Sequence, residues 1–467
     1  MQQPVPTTTA TLLRTELLAG ATTFLTMAYI IFVQPAVLSG SMFGLDTGMD
    51  FGAVTTATCL AAALATAIMG LYARYPVALA PGMGQNFFFV FSAIPVAAAA
   101  GAEEPWRVAL GAVFVAGVLF LVITLVGIRE KLMDAVSPSM KQGLAVGIGL
   151  FIAFIGLKNA QVVIGDPGTL VKLNPALISP DVVVSTAGFL VAAVLYARRT
   201  PGAIIWGIAT ALVTALLFKL LLPLLPAVSA SPIVRESLLS QRFELASGVM
   251  SLPPSIGPTL FRMDIIGALT ASVIPIVVIF LFMDVFDTMG SLIAVGQEAG
   301  LLKENKLVRG ERAMLSDAVG TVAGAALGTS TVTSYIESAA GIEQGGRTGL
   351  TAITVAGLFL LALFFYPLIS MVGSYPPITA PALVLVGALM VRNVTRIEWT
   401  DYTEGIPAFL TMIGIPLAHS IADGLALGLI TYPVIKLLSG RGRELNWTMV
   451  GVAGLLVLYF VLVRTRM

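Results

Sequence analysis

GTSTVTSYIESAAG, residues 328–341, sets the reading of this chain. It is a run of small and hydroxylated residues with one tyrosine and one carboxylate, Glu337, and strongly apolar sequence stands on both sides of it. If those flanks cross a membrane, the carboxylate lies at membrane depth in a segment too polar to face lipid.

Composition makes the flanks membrane-spanning. The chain has 467 residues, 57% hydrophobic and 11% charged, with a mean hydropathy of +0.95. Soluble domains carry about 25% charged residues, so the whole chain reads as an all-α polytopic membrane protein. A net charge of +1 gives no reason to expect nucleic acid. The single cysteine, Cys59, sits in an apolar run, which excludes disulfides. A metal site built on it and the one histidine is not expected, nor is a cofactor, while a metal held by carboxylates alone stays open. The first residues lack the pattern of a cleavable signal peptide. The first span, near Leu17, is therefore expected to be permanent.

A span needs ~20 mostly apolar residues. Candidates cover 17–39, 52–71, 77–99, 106–127, 140–157, 181–197, 202–226, 263–295, 311–327, 328–341, 349–371 and 377–392. Two more are expected between Glu404 and Val463, in apolar pieces broken near Pro416 and His419 and a cleaner run from Trp447, giving about fourteen. Arg74, Arg129, Lys131, Lys141, Arg198, Arg199, the run from Lys303 to Arg312, Arg347, Arg392 and Arg396 share one loop parity. That bias predicts a cytoplasmic N-terminus. Loop 227–262 departs from it, with Arg235, Arg242 and Arg262 on the predicted outer side.

The two halves echo each other. FLTM at 24–27 answers FLFM at 280–283, and Lys158–Asn159 answers Arg392–Asn393. Seven spans per half invert the second repeat relative to the first, a common transporter construction. VALAPGMGQNFFFVFSA, residues 77–93, occupies the position in the first half that 328–341 holds in the second. Pro81, Gly82 and Gly84 disfavour helix and Thr329–Thr333 favours extended backbone. Irregular backbone at membrane depth is tolerated only inside protein or beside a cavity. Both segments therefore read as half-spans, an extended piece followed by a helix starting near the midplane. Two such helix N-termini facing each other offer free amide donors to a small molecule.

Glu337 is the leading functional candidate, because a buried carboxylate is costly unless paired or protonated. It could accept N–H groups of a ligand, carry a coupling proton, or cap neighbouring hydroxyls. Asp284 and Asp287, three residues apart in FLFMDVFDTMGSL, share a helix face; one could bind ligand while the other holds a proton, or both could tie helices together. Asn86 offers a donor and an acceptor. Phe87, Phe88, Phe89 or Tyr335 could stack on a flat ligand or simply pack. Thr26, Ala28 and Tyr29 stand at the repeat position matching the aspartates and could shape a cavity or serve helix packing. His419 and Asp423, four apart, read as one helical face, structural or gate-lining, with a proton relay or an intramembrane hydrolase as weaker readings. GGRTG at 345–349 reads as a turn, since it lacks the spacing of a phosphate loop.

TTFLTMAYIIFVQP, APGMGQNFFF, FMDVFDTMGSL and GTSTVTSYIESAAGIEQGGRTGLT resemble the signature blocks of the azaguanine-type purine permeases, within the nucleobase–ascorbate (uracil/xanthine permease) superfamily. The similarity extends to PALVLVGALM and PAFLTMIGIPLAHSIADGLALGLI. It implies two inverted seven-span repeats, with an N-terminal tail at 1–16, core-domain segments at 17–127 and 263–373 and gate-domain segments at 128–262 and 374–467. It implies elevator-type, proton-coupled import of adenine, guanine or hypoxanthine across a bacterial inner membrane, by a lipid-embedded homodimer joined through the gate domain. The base is then held between spans 3 and 10 by Asp284, Glu337 and Asn86, with Phe87, Thr26, Ala28 and Tyr335 around it. Asp287, Thr288 and Ser338 support the site or the proton. Gln34 replaces a frequent asparagine, the aromatic run after Asn86 is bulkier, and His419 stands where tyrosine is common. The alternatives are an anion transporter of sulfate or bicarbonate type with the same architecture, or an uncoupled nucleobase channel.

Overall fold

A computed structural model describes residues 9–127, 136–303, 306–445, 449–451, 453–454 and 456–457. The basic residues Arg129 and Lys131 and most of the run from Trp447 to Val463 lie outside the described residues. In the first half, span 1 is α1 (Thr9–Met27) with α2 (Ile30–Leu38), and span 2 is α3 (Phe51–Ile68). Span 3 is the strand β1 (Leu79–Pro81) followed by α4 (Met83–Ala99). Next come α5 (Pro105–Val126), α6 (Pro138–Asn159), the hairpin β2 (Val163–Asp166) and β3 (Leu170–Leu173), α7 (Pro180–Ala197) and α8 (Ala203–Leu221). The second half runs through α9 (Ile274–Glu298), the small hairpin β4 (Leu302–Lys303) and β5 (Lys306–Leu307), and α10 (Gly310–Leu327). Span 10 is β6 (Val332–Ser334) followed by α11 (Ser338–Glu343). It leads into α12 (Gly349–Ala362), α13 (Tyr366–Ser374), α14 (Ala380–Val391), α15 (Tyr402–Ala418) and α16 (Ile421–Leu438). Among the described residues nine helices are long and apolar enough to cross a membrane.

The two half-spans meet where the sequence places them. β1 and β6 pair antiparallel, Leu79 opposite Ser334, Ala80 opposite Thr333 and Pro81 opposite Val332. Gly82 N–H donates to Thr331 O at 3.0 Å and Tyr335 N–H to Ala78 O at 2.9 Å, extending the ladder at both ends. Strands this short survive in an apolar interior only if their outer edges are also satisfied. A threonine of the preceding span does this in each repeat. Thr66 Oγ1 of α3 donates to Leu79 O and accepts from Leu79 N–H, both at 2.9 Å. Thr321 Oγ1 of α10 does the same for Val332, at 2.9 and 3.1 Å. The same device in both halves is the inverted repeat expressed in hydrogen bonds.

Packing divides the helices into two groups. α1, α3, α5, α10 and α12 surround the crossed strands, with α9 laid against β6, α11 and α5. α6, α7, α8, α14, α15 and α16 pack on one another. Close backbone approach fixes glycine at several seams. A Cβ on Gly349 would lie 1.9 Å from Gly70 O. Gly328 ends α10 at φ +103°, with Thr259 packed where a side chain would go. At the end of the second group, buried Lys436 reaches Glu444 at 2.8 Å and Glu404 at 3.1 Å, and Arg441 reaches Asp401 at 2.7 Å. Outside the spans, the Thr403 hydroxyl and then Arg441 hold the Asp401 carboxyl at about 2, and Arg441 and Lys436 hold Glu444 at about 2.

Three boundary expectations are corrected. Span 8 begins at Ile274 rather than 263, because Asp264 caps a separate turn, Ile265–Ala268, before Pro275 starts the long helix. The two apolar pieces after Glu404 are two full helices, α15 and α16, packed as an antiparallel pair. These two already complete a count of fourteen crossing segments without the run from Trp447. His419 and Asp423 do not share a helix face: His419, at φ +51°, turns the chain after α15, and Ser420 caps α16 through Asp423 N–H at 3.2 Å. Loop 227–262 folds back onto the helices. Asp181 of α7 accepts Leu238 N–H at 2.8 Å and Leu239 N–H at 3.0 Å, while Thr56 of α3 donates to Pro254 O at 2.9 Å.

Candidate functional site

Polar side chains converge on the crossed strands from five spans. Glu337 is the last residue before α11, half-buried, and its Oε1 accepts the Tyr29 hydroxyl at 3.0 Å. Thr26 Oγ1 reaches the Glu337 carbonyl at 3.3 Å, so the break between α1 and α2 faces the head of α11. Across the strands, Asn86 lies in the first turn of α4 and accepts the Ser330 hydroxyl. Gln34 of α2 donates to Thr329 Oγ1 at 2.8 Å and Ser330 Oγ at 3.2 Å.

The third cluster gathers acids. Asp284 Oδ2 of α9 lies 2.9 Å from Thr321 Oγ1, whose single hydrogen is shared between this carboxyl and Val332 O at the edge of β6. Asp317 of α10 accepts Ser334 Oγ at 3.0 Å. Asp287 accepts Gln85 Nε2 at 2.7 Å, and Thr288 and Thr333 are 3.1 Å apart. The side-chain hydrogen bonds of these acids and of Glu337 run to hydroxyls and an amide. Several polar atoms here are buried without a protein partner: Asp284 Oδ1, Asp317 Oδ1, Gln34 Oε1, Gln85 Oε1 and Asn86 Nδ2. Unpaired buried groups are costly. A neutral ligand edged with donors and acceptors could satisfy such a set, whereas an anion would meet a group of carboxyls.

The structure brings together Glu337, Asp284, Asp287, Asn86, Thr26 and Thr288 around the crossing. Ala28 and Tyr29 lie buried in the same break of span 1. Tyr335 and Ser338 are occupied by the framework. The Tyr335 hydroxyl donates to Pro81 O at 2.6 Å, and Ser338 Oγ accepts Ala78 N–H at 3.0 Å. Phe87 is fully buried in a ring cluster, 5.9 Å from Phe43 and 6.0 Å from Phe151 between centroids. Phe91 and Phe151 also stand edge-on to His419, so this cluster seams the two helix groups. Asp317, Thr321, Thr66 and Gln85 escaped the sequence reading. Gln85 stood beside the more conspicuous Asn86, and Asp317 stood close to a charged run.

Thr321 carries a direct prediction. Thr321→Val leaves the Asp284 carboxylate and the Val332 N–H without a shared hydroxyl, at a cost of about 1–3 kcal/mol per orphaned group. The expected outcome is a clear drop in the melting temperature of the detergent-solubilised protein, with Thr321→Ser close to wild type. Equal melting of the valine variant and wild type would contradict this role.

Residues 14–463 match the profile of the Permease family, Xan_ur_permease. The chain belongs to this family. MJ0326 of Methanocaldococcus jannaschii, named as a permease with no stated substrate, is 49% identical to this permease over 96% of this chain and 95% of its own. The guanine/hypoxanthine permease PbuG of Bacillus subtilis is 40% identical over 97% of both chains. The adenine permease AdeQ of Escherichia coli is 40% identical over 97% of this chain and 94% of its own. These relatives mark a multi-pass membrane transporter, not an enzyme. Among solved structures, the transmembrane domain of the cyanobacterial bicarbonate transporter BicA superposes with a TM-score of 0.59 at 12% identity, covering 89% of this chain and 97% of that one. SLC26A9 gives 0.59 at 10% identity, covering 91% and 65%. At such identity the permease shares their fold, two inverted seven-span repeats with extended segments in spans 3 and 10, and nothing further follows from the likeness.

Proposed function

We propose that this permease imports purine nucleobases (adenine, guanine or hypoxanthine) by proton symport across the cytoplasmic membrane of a bacterium. The carrying observation is the set of carboxylates at the strand crossing whose partners are hydroxyls and amides, in a chain with relatives named for these bases. A purine is flat, neutral and edged with alternating donors and acceptors. Glu337 and Asp284 would take its N–H groups, Asn86 a ring nitrogen or carbonyl, and the break at Thr26–Tyr29 would close one side. Asp287 or Asp317, supported by the Thr288 hydroxyl, would hold the coupling proton, because like charges confined in an apolar interior do not all ionise together. One proton moving through 100 mV releases ~2.3 kcal/mol, which sustains accumulation of a neutral solute by a factor of about 50. The helices around the crossing would move as a core domain against the other group as a gate domain, in a lipid-embedded homodimer with the N-terminus inside.

The acids oppose the anion reading, since an anion placed among carboxylates would be repelled. Uptake of labelled hypoxanthine by cells lacking their own purine permeases separates the readings. Unlabelled guanine and adenine are expected to compete, while uracil, sulfate and bicarbonate are not. A protonophore is expected to abolish accumulation but leave equilibration. Accumulation that survives the protonophore and follows sodium would overturn the proton, and competition by sulfate or bicarbonate would overturn the substrate class.

A further inference from the structure

The cluster of Gln34, Thr329, Ser330 and Asn86 is a directional chain of hydrogen bonds. Gln34, Thr329, Ser330 and Asn86 are all fully buried. Gln34 Nε2 donates to Thr329 Oγ1 at 2.8 Å and to Ser330 Oγ at 3.2 Å, and the Ser330 hydroxyl donates to Asn86 Oδ1. Each end leaves one buried atom without a protein partner, Gln34 Oε1 and Asn86 Nδ2. A serine hydroxyl has a single hydrogen to give. Once Ser330 takes an N–H from Gln34 and gives its hydrogen to Asn86, the carbonyl end of Asn86 is committed and its N–H₂ end points away from the relay. Amide orientation is set by such a network and not by the amide itself.

We propose that Gln34 and Ser330 are specificity-determining positioning residues. Their relay fixes Asn86 as a hydrogen-bond donor toward the base, favouring purines with an oxo group at C6 over those with an amino group there. The inference rests on the purine reading above and deepens it. A donor facing an oxo oxygen is paired, whereas a donor facing an exocyclic amine leaves both groups unpaired, which is how a polar site discriminates. The relay also runs in one other self-consistent direction. If residue 34 could only accept, Ser330 would give its hydrogen there, take an N–H from Asn86 and turn the Asn86 carbonyl outward.

The test is the ratio of inhibition constants of adenine and hypoxanthine against labelled hypoxanthine, with membrane abundance of each variant measured in parallel. Wild type is expected to favour hypoxanthine. Ser330→Ala and Gln34→Leu are expected to shrink the ratio by about fivefold to tenfold, the worth of one misdirected buried hydrogen bond. Ser330→Thr, which keeps the hydroxyl, is expected to retain it. Gln34→Glu, isosteric and accept-only once its carboxyl is ionised, is expected to shift the ratio toward adenine as the assay pH is raised, an outcome that mere loss of packing does not produce. An unchanged ratio in whichever of the alanine, leucine and glutamate variants reaches the membrane, or a wild type that favours adenine, overturns the relay. Failure of wild type to take up any purine would instead remove the reading beneath it.

Discussion

Glu337→Gln is expected to lower purine uptake by at least about a hundredfold while the protein still folds and reaches the membrane. A carboxylate offers acceptors on both oxygens, and hydrogen bonds to a charged group contribute ~1.5–3 kcal/mol each. The amide keeps one acceptor and turns N–H donors toward the ring N–H of a base, so at least one pairing becomes a clash of donors. Two lost contacts of that size correspond to two or more powers of ten. The framework survives, because the glutamine oxygen can still accept the Tyr29 hydroxyl and the bond from Thr26 goes to the main chain. Tyr29→Phe removes a single partner of the carboxylate and is expected to have a much smaller effect. Initial rates of labelled hypoxanthine uptake, normalised to protein in the membrane, measure both. Near-wild-type rates for Glu337→Gln would remove Glu337 from the site.

A large effect on stability is expected from a residue that touches no ligand. Gly349→Ala puts a methyl group where the Gly70 carbonyl oxygen stands, 1.9 Å away, and Gly70 Cα would be 3.0 Å from it. Both contacts are backbone, at the seam where the start of α12 crosses the end of span 2. No rotamer change relieves the clash, so the helices must separate. Overpacking of this kind costs about 1–3 kcal/mol or more. Gly357 in the same helix has open space at its Cβ position, so Gly357→Ala is the matched control and should be neutral or slightly stabilising. Size-exclusion profiles and thermal melting in detergent distinguish the pair. Equal melting of the two variants would show that the seam is looser than its geometry.

The half-spans were legible because lipid tolerates so few ways of writing a membrane segment. Glycine and proline at 81–84, and hydroxyl residues at 329–334, stand where a continuous helix would need aliphatic residues, and both segments are strands leading into helices. Glu337 and Asp284 were conspicuous for the same reason. What sequence alone conceals is partnership. Thr66 and Thr321 read as ordinary helix threonines, and only the crossing strands show that they stand in for neighbouring strands. Asp317 lies close to Glu311 and Arg312, so it resembled the solvated entry of a span until Ser334 appeared against it. The spacing of His419 and Asp423 suggested one helix, although Ser420 with Asp423 three residues later is itself a helix-start signal. That signal, with Pro416 just before it, was enough to place a turn there.

The account stands or falls on where the base binds. A structure of the protein with hypoxanthine resolves it. The predicted result is a base at the crossing of β1 and β6, with Glu337, Asp284 and the Asn86 amide nitrogen within hydrogen-bond distance of its edge. A base seated elsewhere, with those three side chains touching only protein, would contradict it.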